Sequence, residues 1–131
     1  MNNTVENKLY EYAVIRIVPR VEREEFLNVG IILFCKKQDF LQVKYLLDPI
    51  RLAAFSCHSA IPELEMYLQT WVKICKGGID GGPIGELDTA SRFRWLTATR
   101  STVVQTSKVH PGFCEDPQQK LDVLFSELVQ I

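Results

Sequence analysis

The sequence LYEYAVIRIVP, at residues 9–19, contains the first strong structural signal of the chain. β-Branched and aromatic residues dominate it, and Tyr10, Tyr12 and Val14 alternate with the residues between them. This composition and this alternation are typical of a β-strand. Pro19 lacks the N–H that a strand ladder needs, so we expect strand pairing to end there.

Two further strands are predicted downstream of this segment. Residues 29–35, VGIILFC, form a continuous apolar run, which indicates a central strand covered on both faces. Gly30 within that run predicts a bulge or a close approach of another backbone. Residues 40–46 alternate between apolar and polar side chains and so predict a third strand. Because the connectors between these segments are too short for crossover helices, we expect an antiparallel meander.

The rest of the chain combines helical patterns with one more strand. Residues 62–76 carry apolar side chains at spacings of three and four, which predicts a helix with one buried face. Asp48 and Asp116 each precede a proline and are suited to cap the first turn of a helix, and residues 88–96 predict another short helix. Residues 102–108 predict a fourth strand, followed by a turn at His110-Pro111-Gly112. The fold class is therefore α+β, with an antiparallel sheet of about four strands and three to four helices, mostly on one face.

The composition is typical of a single compact domain. The 131 residues are 47% apolar and 24% charged, close to the average of globular proteins. We expect a flexible N-terminus at residues 1–8 and one domain at residues 9–131, with a glycine-rich loop at residues 77–85. No signal peptide and no apolar run of about 18 residues is evident, so the cytoplasm is the expected location. A net charge of −1 provides no global field for nucleic acid or an anionic membrane, so a nucleic-acid role would need a local patch.

Motifs for metal, nucleotide or nucleophilic chemistry are weak in this sequence. The four cysteines form no C-x-x-C pair and indicate reduced, mostly buried thiols, so we expect no metal site and no cofactor. Gly77 and Gly82 have the spacing of a phosphate-binding loop, but Pro83 stands where that loop needs lysine. Cys57 and His58 are neighbours in sequence, and adjacent residues on a helix do not face each other, which argues against a catalytic dyad.

The stretch at residues 92–114 is the strongest candidate for a binding site. It contains no Asp or Glu, and aromatic and hydroxyl side chains are interleaved with its cations. Such a set is suited to hold a phosphate, a carboxylate or a nucleic acid. The alternative is that buried aromatic residues alternate with exposed arginines that pair with acidic side chains elsewhere. If the first and fourth strands are neighbours, Arg16, Arg20 and Arg23 would extend the patch. The cations of the stretch itself are Arg92, Arg94, Arg100 and Lys108.

Two segments resemble a bacterial family known as domain of unknown function 3037. They are YEYAVIRIVPRVEREEFLNVGIILF at residues 10–34 and SRFRWLTATRSTVVQTSKVHPG at residues 91–112. The resemblance extends over nearly the whole chain, and its specific motifs are R-x-E-x-x-E-F-x-N-V-G and R-F-R-W-L-T-x-x-R-S. The family is named for its lack of an assigned function, so the resemblance implies no activity. It does imply a setting beside HipA-like kinase genes, and hence a HipA-like kinase as a partner.

Polar residues in two distant segments would be explained by one site shared between neighbouring strands. We favour a binding or adaptor module that recognises an anionic group, either a phosphate or a nucleic acid. One alternative is an interaction partner of a HipA-like kinase. The other, less favoured, is a small phosphate-handling enzyme, with Arg94 or Arg100 as clamp and His110 or Glu25 as acid or base. The candidate binding residues are Arg20, Glu25, Asn28, Arg94, Trp95, Arg100, Ser101 and His110.

Overall fold

Strand β1 (Lys8–Ile17) lies at the centre of the sheet and pairs along both of its edges. The computed structural model describes residues 6–55, 60–99 and 102–130. Every strand pair is antiparallel, and the strand order is β3-β2-β1-β4, with β5 also pairing β1. The α+β prediction is confirmed. The other strands are β2 (Leu27–Cys35), β3 (Phe40–Tyr45), β4 (Val104–Thr106) and β5 (His110–Cys114).

The predicted meander of β1, β2 and β3 is present, with a bulge near the end of β1. Ile15 lies opposite Gly30, whereas the next residue of β1, Arg16, lies opposite Asn28, so Val29 is the extra residue. Gly30 also approaches β3 closely, because a Cβ there would lie 2.7 Å from a backbone carbonyl oxygen of that strand. Both expectations for this glycine, a bulge and a close backbone approach, are thus confirmed.

β4 and β5 follow one another along the free edge of β1, and they are separated by a second bulge. Ile15 pairs with Thr106 and Tyr12 with His110, so residues 13–14 face residues 107–109. Ser107 bridges this mismatch: its N–H donates to the Val14 carbonyl, and its hydroxyl accepts from the Val14 N–H, each at 2.8 Å. The ladder is therefore kept through the bulge.

The prediction of a turn at residues 110–112 is wrong, because these residues belong to β5. Val14 directs its N–H and C=O toward this edge. By alternation, Pro111 turns its backbone to the free edge, where its missing N–H breaks no ladder bond. Gly112 leaves room for the Tyr10 ring, since a Cβ there would lie 2.6 Å from that ring.

Five helices complete the described part of the chain, and aspartates cap three of them. Asp48, Asp88 and Asp116 each accept hydrogen bonds from the first-turn N–H groups of the helix that follows. The glycine-rich residues form a 3₁₀ turn, Ile79–Gly81, and a short helix, and the Gly78 N–H donates to Gly85 O at 2.8 Å. The helices are α1 (Pro49–Ala54), α2 (Ile61–Lys76), α3 (Gly82–Gly85), α4 (Thr89–Leu96) and α5 (Pro117–Leu128).

Each face of the sheet has its own core. On one face, odd-numbered residues of β1 such as Ile15 pack with α2 and α4, which contribute Leu68 and Phe93. On the other face, even-numbered residues such as Val14 pack with α5 through Leu121. The alternating side chains of β1 therefore pack against helices on both faces of the sheet. No helix among the described residues is long and apolar enough to cross a membrane.

Candidate functional site

A cavity of about 550 Å³ opens at the corner where β1 begins and β2 ends, beside α4. We call it the Arg94 pocket. β1 and β2 provide its floor, where Glu11 and Phe34 are register partners and Leu9 continues the same face of β1. Four of its lining residues are cationic and one is acidic. Its described lining consists of Asn7, Lys8, Leu9, Glu11, Phe34, Lys36, Lys37, Ala90 and Arg94.

Helix α4 is fixed at both its start and its side. Asp88 accepts from the Ser91 N–H at 2.8 Å, and this bonding, assisted by nearby arginines, lowers the pKa of the Asp88 carboxyl. The Thr89 hydroxyl donates to the Asp39 carboxylate, which ties α4 to the turn after β2. Arg94 lies four residues after Ala90, so both occupy the helix face that looks onto the pocket.

Two of the four cations are already engaged. Lys37 forms an ion pair with Glu6, and Lys8 Nζ donates to the Glu115 carbonyl at 2.9 Å. Among the residues that the structure describes, the side chains of Lys36 and Arg94 make no hydrogen bond or ion pair. Two uncommitted cations therefore face a cavity whose only acidic lining residue among those described is Glu11.

A second cavity, of about 470 Å³, lies beyond the other end of β1, and we call it the Arg20 cleft. Arg23 and Glu25 form an ion pair across its wall. The side chain of Arg20 has no such partner in the described ranges. The net charge of the described lining is therefore +1, from two arginines and one glutamate. That lining consists of Pro19, Arg20, Arg23, Glu25, Ala54 and Phe55.

The two cavities lie at opposite ends of β1. The Arg94 pocket is lined by Leu9 and the Arg20 cleft by Pro19. Ten residues of extended chain span roughly 30 Å. One small ligand therefore does not reach both, and the residues predicted for a single site are divided between two.

The predicted site residues fall into separate environments. Arg20 and Glu25 share the Arg20 cleft, whereas Arg94 lines the other cavity. Asn28 lies on the α5 face, where its amide donates to the last-turn carbonyl of Leu128 at 3.1 Å. The Oδ1 atom of Asn28 is buried without a hydrogen-bond partner among the described residues.

Two further predicted residues, Trp95 and His110, lie outside both cavities, and two more are outside the described ranges. Trp95 follows Arg94 on α4, is 41% exposed and is not part of the lining of either cavity. His110 lies on the α5 face of the sheet, where its ring tilts against Tyr12 at 5.3 Å between centroids. The predictions for Arg100 and Ser101 fall on residues that the structure does not describe.

β1 and β4 are neighbours in the sheet, which was the condition for Arg16 to extend the predicted basic patch. Arg16 nevertheless lies on the α5 face, with its guanidinium 4.0 Å from the centre of the Phe26 ring. Its Nε is buried without a hydrogen-bond partner in the described part of the chain. Arg16 therefore does not contribute to the Arg94 pocket, which opens on the other face.

Arg92 has a structural role that the sequence pattern did not reveal. Its Nη1 donates to the carbonyls of Ile74 and Cys75, at 2.9 and 2.8 Å, and so satisfies the C-terminal end of α2. Its Nε donates to the Leu87 carbonyl at 3.0 Å. The cations missed by the sequence interpretation are Lys8, Lys36 and Lys37, and the adjacent pair Lys36-Lys37 was the available signal.

The described residues contain no group of side chains arranged for nucleophilic catalysis or for metal binding. Cys35, Cys75 and Cys114 are buried, as the sequence predicted, whereas Cys57 lies outside the described residues. Burial raises the pKa of the Cys75 thiol to about 12. Such a thiol is protonated and inert near neutral pH. Across these residues, no three His, Cys, Asp or Glu side chains are grouped so as to hold a metal ion.

Comparison with known families gives one result. A family model described as "Protein of unknown function (DUF3037)" matches residues 12–129. The chain belongs to this family. The match to DUF3037 includes the strand and helix residues around both cavities, except for the first few residues of β1. No curated protein and no solved structure matches this DUF3037 chain significantly.

Proposed function

We propose that this protein is a binding module that recognises an anionic group in the Arg94 pocket. The observation that carries the proposal is the charge on this face of the described lining, where Lys36, Lys37 and Arg94 lie around Glu11, the one acidic residue of that lining. After the ion pair of Lys37 with Glu6 is discounted, two cations, Lys36 and Arg94, remain against one acid. A local excess of this kind attracts an anion even though the net charge of the chain is −1.

The chemistry of the uncommitted side chains suits a phosphate or a carboxylate. The guanidinium of Arg94 presents a planar fork that can bond two oxygens of such a group, and Lys36 adds a point charge. The apolar side chains of Phe34 and Leu9 in the pocket support the proposal further, because charges interact more strongly beside a surface that excludes water. The Arg20 cleft is less favourable, since the glutamate in its wall already pairs with one of its two arginines.

The other predicted functions find less support in the geometry. The enzyme hypothesis paired an arginine clamp with His110 or Glu25, but Arg94 lines a pocket on one face of the sheet and His110 lies on the other. A role as partner of a HipA-like kinase stays a prediction. Neither alternative rests on a described group of residues comparable with the Arg94 pocket.

The test is a titration of the purified protein with inorganic tripolyphosphate and with citrate, read by calorimetry and by thermal unfolding. A ligand at 100 times its Kd stabilises the folded state by about 2.7 kcal/mol, which a melting curve resolves easily. We expect Arg94→Ala to weaken binding about tenfold or more, because hydrogen bonds to charged groups are worth about 1.5–3 kcal/mol.

Lys76→Ala is the matched control, since Lys76 is exposed at the end of α2 and is not part of the described lining of either cavity. Its affinity should equal that of the wild type. Absence of binding at low salt, or equal affinity of the wild type and Arg94→Ala, would refute the proposal. Loss of binding in Arg20→Ala with Arg94→Ala unaffected would move the site to the Arg20 cleft and would also refute it.

A further inference from the structure

The Arg94 pocket continues into an apolar surface at the edge of the sheet. Leu9 lines the pocket, and its register partner on β5 is Phe113, so the two side chains share one face. Leu9 is 53% exposed and Phe113 is 70% exposed. We call this pair, together with Phe34 in the pocket floor, the apolar floor.

No described helix covers this corner. Of the helices on this face, α2 packs on β3 and α4 packs on β2 and β3, and α5 lies on the opposite face. Contiguous exposed apolar area that is rimmed by polar residues marks interaction sites, and Leu9 and Phe113 are neighbours on this face. The cations of the Arg94 pocket form one side of the same surface, so charge and apolar area are continuous.

We infer that the ligand of the Arg94 pocket is an acidic segment of a partner protein that also places a large apolar side chain on the apolar floor. This inference rests on the proposed function, because the acidic side chains would bind Lys36 and Arg94. It adds a second contact, to Leu9 and Phe113, that a small inorganic anion does not make. The partner segment is expected to be acidic because the cations of the pocket attract negative charge. It is expected to carry a large apolar side chain because Leu9 and Phe113 offer an exposed apolar surface.

The partner lies on the face of the sheet and not along its edge. By the alternation of the ladder, Pro111 and Phe113 direct their backbones to the free edge of β5. Pro111 has no N–H to donate, so the edge is a poor template for an added strand. The contact is therefore made by side chains on the Leu9–Phe113 surface.

Nucleic acid fits this surface less well. The cations of the pocket are clustered at one corner instead of following a groove, and Glu11 lies among them. Single strands are held by basic grooves with aromatic platforms on which bases stack. One exposed aromatic ring beside an aliphatic side chain gives a single platform at most.

The experiment compares two labelled peptides by fluorescence anisotropy. One is a short peptide of glutamates interrupted by leucines, and the other has serine in place of each leucine, so that their charges are equal. We expect the leucine peptide to bind wild-type protein about tenfold more tightly, a factor typical of burying a large apolar side chain. Phe113→Ser should remove that difference, whereas Arg94→Ala should weaken both peptides.

The matched control for Phe113→Ser is Ile79→Ser, because Ile79 is 86% exposed and is not part of the described lining of either cavity. It should bind both peptides as the wild type does. Because Phe113 is exposed, its replacement is expected to leave the fold intact, which circular dichroism checks.

The outcomes separate this inference from the proposed function. If both peptides bind equally and Arg94→Ala weakens both, the anion site stands and the inference fails. If neither peptide nor tripolyphosphate binds, the proposed function fails as well. If a single-stranded oligonucleotide binds more tightly than the leucine peptide, the inference is wrong and the ligand is a nucleic acid. If Phe113→Ser dissociates a dimer of the chain, the inference is also wrong, and the surface binds a second copy of the chain.

Discussion

Replacing Ser107 by alanine tests how the sheet is held together where β4 gives way to β5. The hydroxyl of this buried residue accepts from the Val14 N–H at 2.8 Å, inside the bulge. Alanine removes the acceptor and leaves a backbone donor of the central strand without its partner. The second bond of the hydroxyl, to the Lys108 carbonyl at 2.9 Å, is also lost, but Lys108 is exposed and its carbonyl can turn to water.

The expected loss follows from the cost of an unsatisfied buried donor. That cost is about 1–3 kcal/mol, and it exceeds the value of an average hydrogen bond because Val14 cannot regain water while the sheet is closed. For 131 residues, an unfolding entropy of about 2.1 cal/mol/K per residue gives about 275 cal/mol/K. The melting temperature of Ser107→Ala should therefore fall by about 4–11 °C.

Urea unfolding followed by circular dichroism measures the change in free energy, and hydrogen exchange of the Val14 amide localises it. Exchange at this amide should become faster by a larger factor than exchange at Ile31, its register partner on β2. Ser126→Ala is the control, because Ser126 is exposed on α5 and its replacement should change stability by less than about 0.5 kcal/mol. A loss of less than about 0.5 kcal/mol in Ser107→Ala, with unchanged exchange at Val14, would refute the role of the hydroxyl.

Three further predictions concern a close backbone approach in the sheet, the core and a helix cap. Gly30→Ala should destabilise the fold by about 1–3 kcal/mol, because the new Cβ would meet a backbone oxygen of β3 at 2.7 Å; a urea midpoint equal to that of the wild type would contradict this. Leu68→Ala should lower the free energy of unfolding by about 2–5 kcal/mol, since Leu68 is fully buried. Met66 is 73% exposed on the same helix, so Met66→Ala should lower it far less. Equal urea midpoints of the two variants would show that Leu68 is not a core residue. The folded-state pKa of Asp88 is lowered below its ordinary value of 3.8, chiefly by hydrogen bonds from Ser91, so this carboxylate stabilises the fold above that value and the contribution is lost as pH falls through the lowered pKa. Asp88→Asn should accordingly flatten the acid side of a stability-against-pH curve, and an unchanged curve would show that the cap has no such effect.

Local patterns predicted those parts of the fold that local interactions decide. The alternation in β1 and the continuous apolar run of β2 indicated paired strands, and the short connectors left no route but an antiparallel meander. β5 was missed because His110-Pro111-Gly112 has the composition of a turn. Its pairing depends instead on distant residues: the bulge at Ser107 sets the register, and the ring of Tyr10 covers Gly112.

The candidate site was only partly predictable, because its cations come from two elements far apart in sequence, the turn after β2 and α4. Arg92 and Arg94 belong to one motif, yet two residues on a helix differ in direction by about 200°. One of them therefore satisfies the end of α2 while the other faces the pocket. Lys36 and Lys37 reach that pocket because the turn that follows β2 packs beside the start of β1.

The open corner beside Arg94 follows from the unequal lengths of the layers. β1 has ten residues and spans roughly 30 Å, whereas α4 has eight and covers roughly 12 Å. A sheet surface without a covering helix is ordinarily polar, and a chain that needed only to fold would place polar side chains at Leu9 and Phe113. These two residues are instead apolar and exposed, next to uncommitted cations at Lys36 and Arg94. The partner that we propose would cover this corner and would account for the apolar pair and for the charge together.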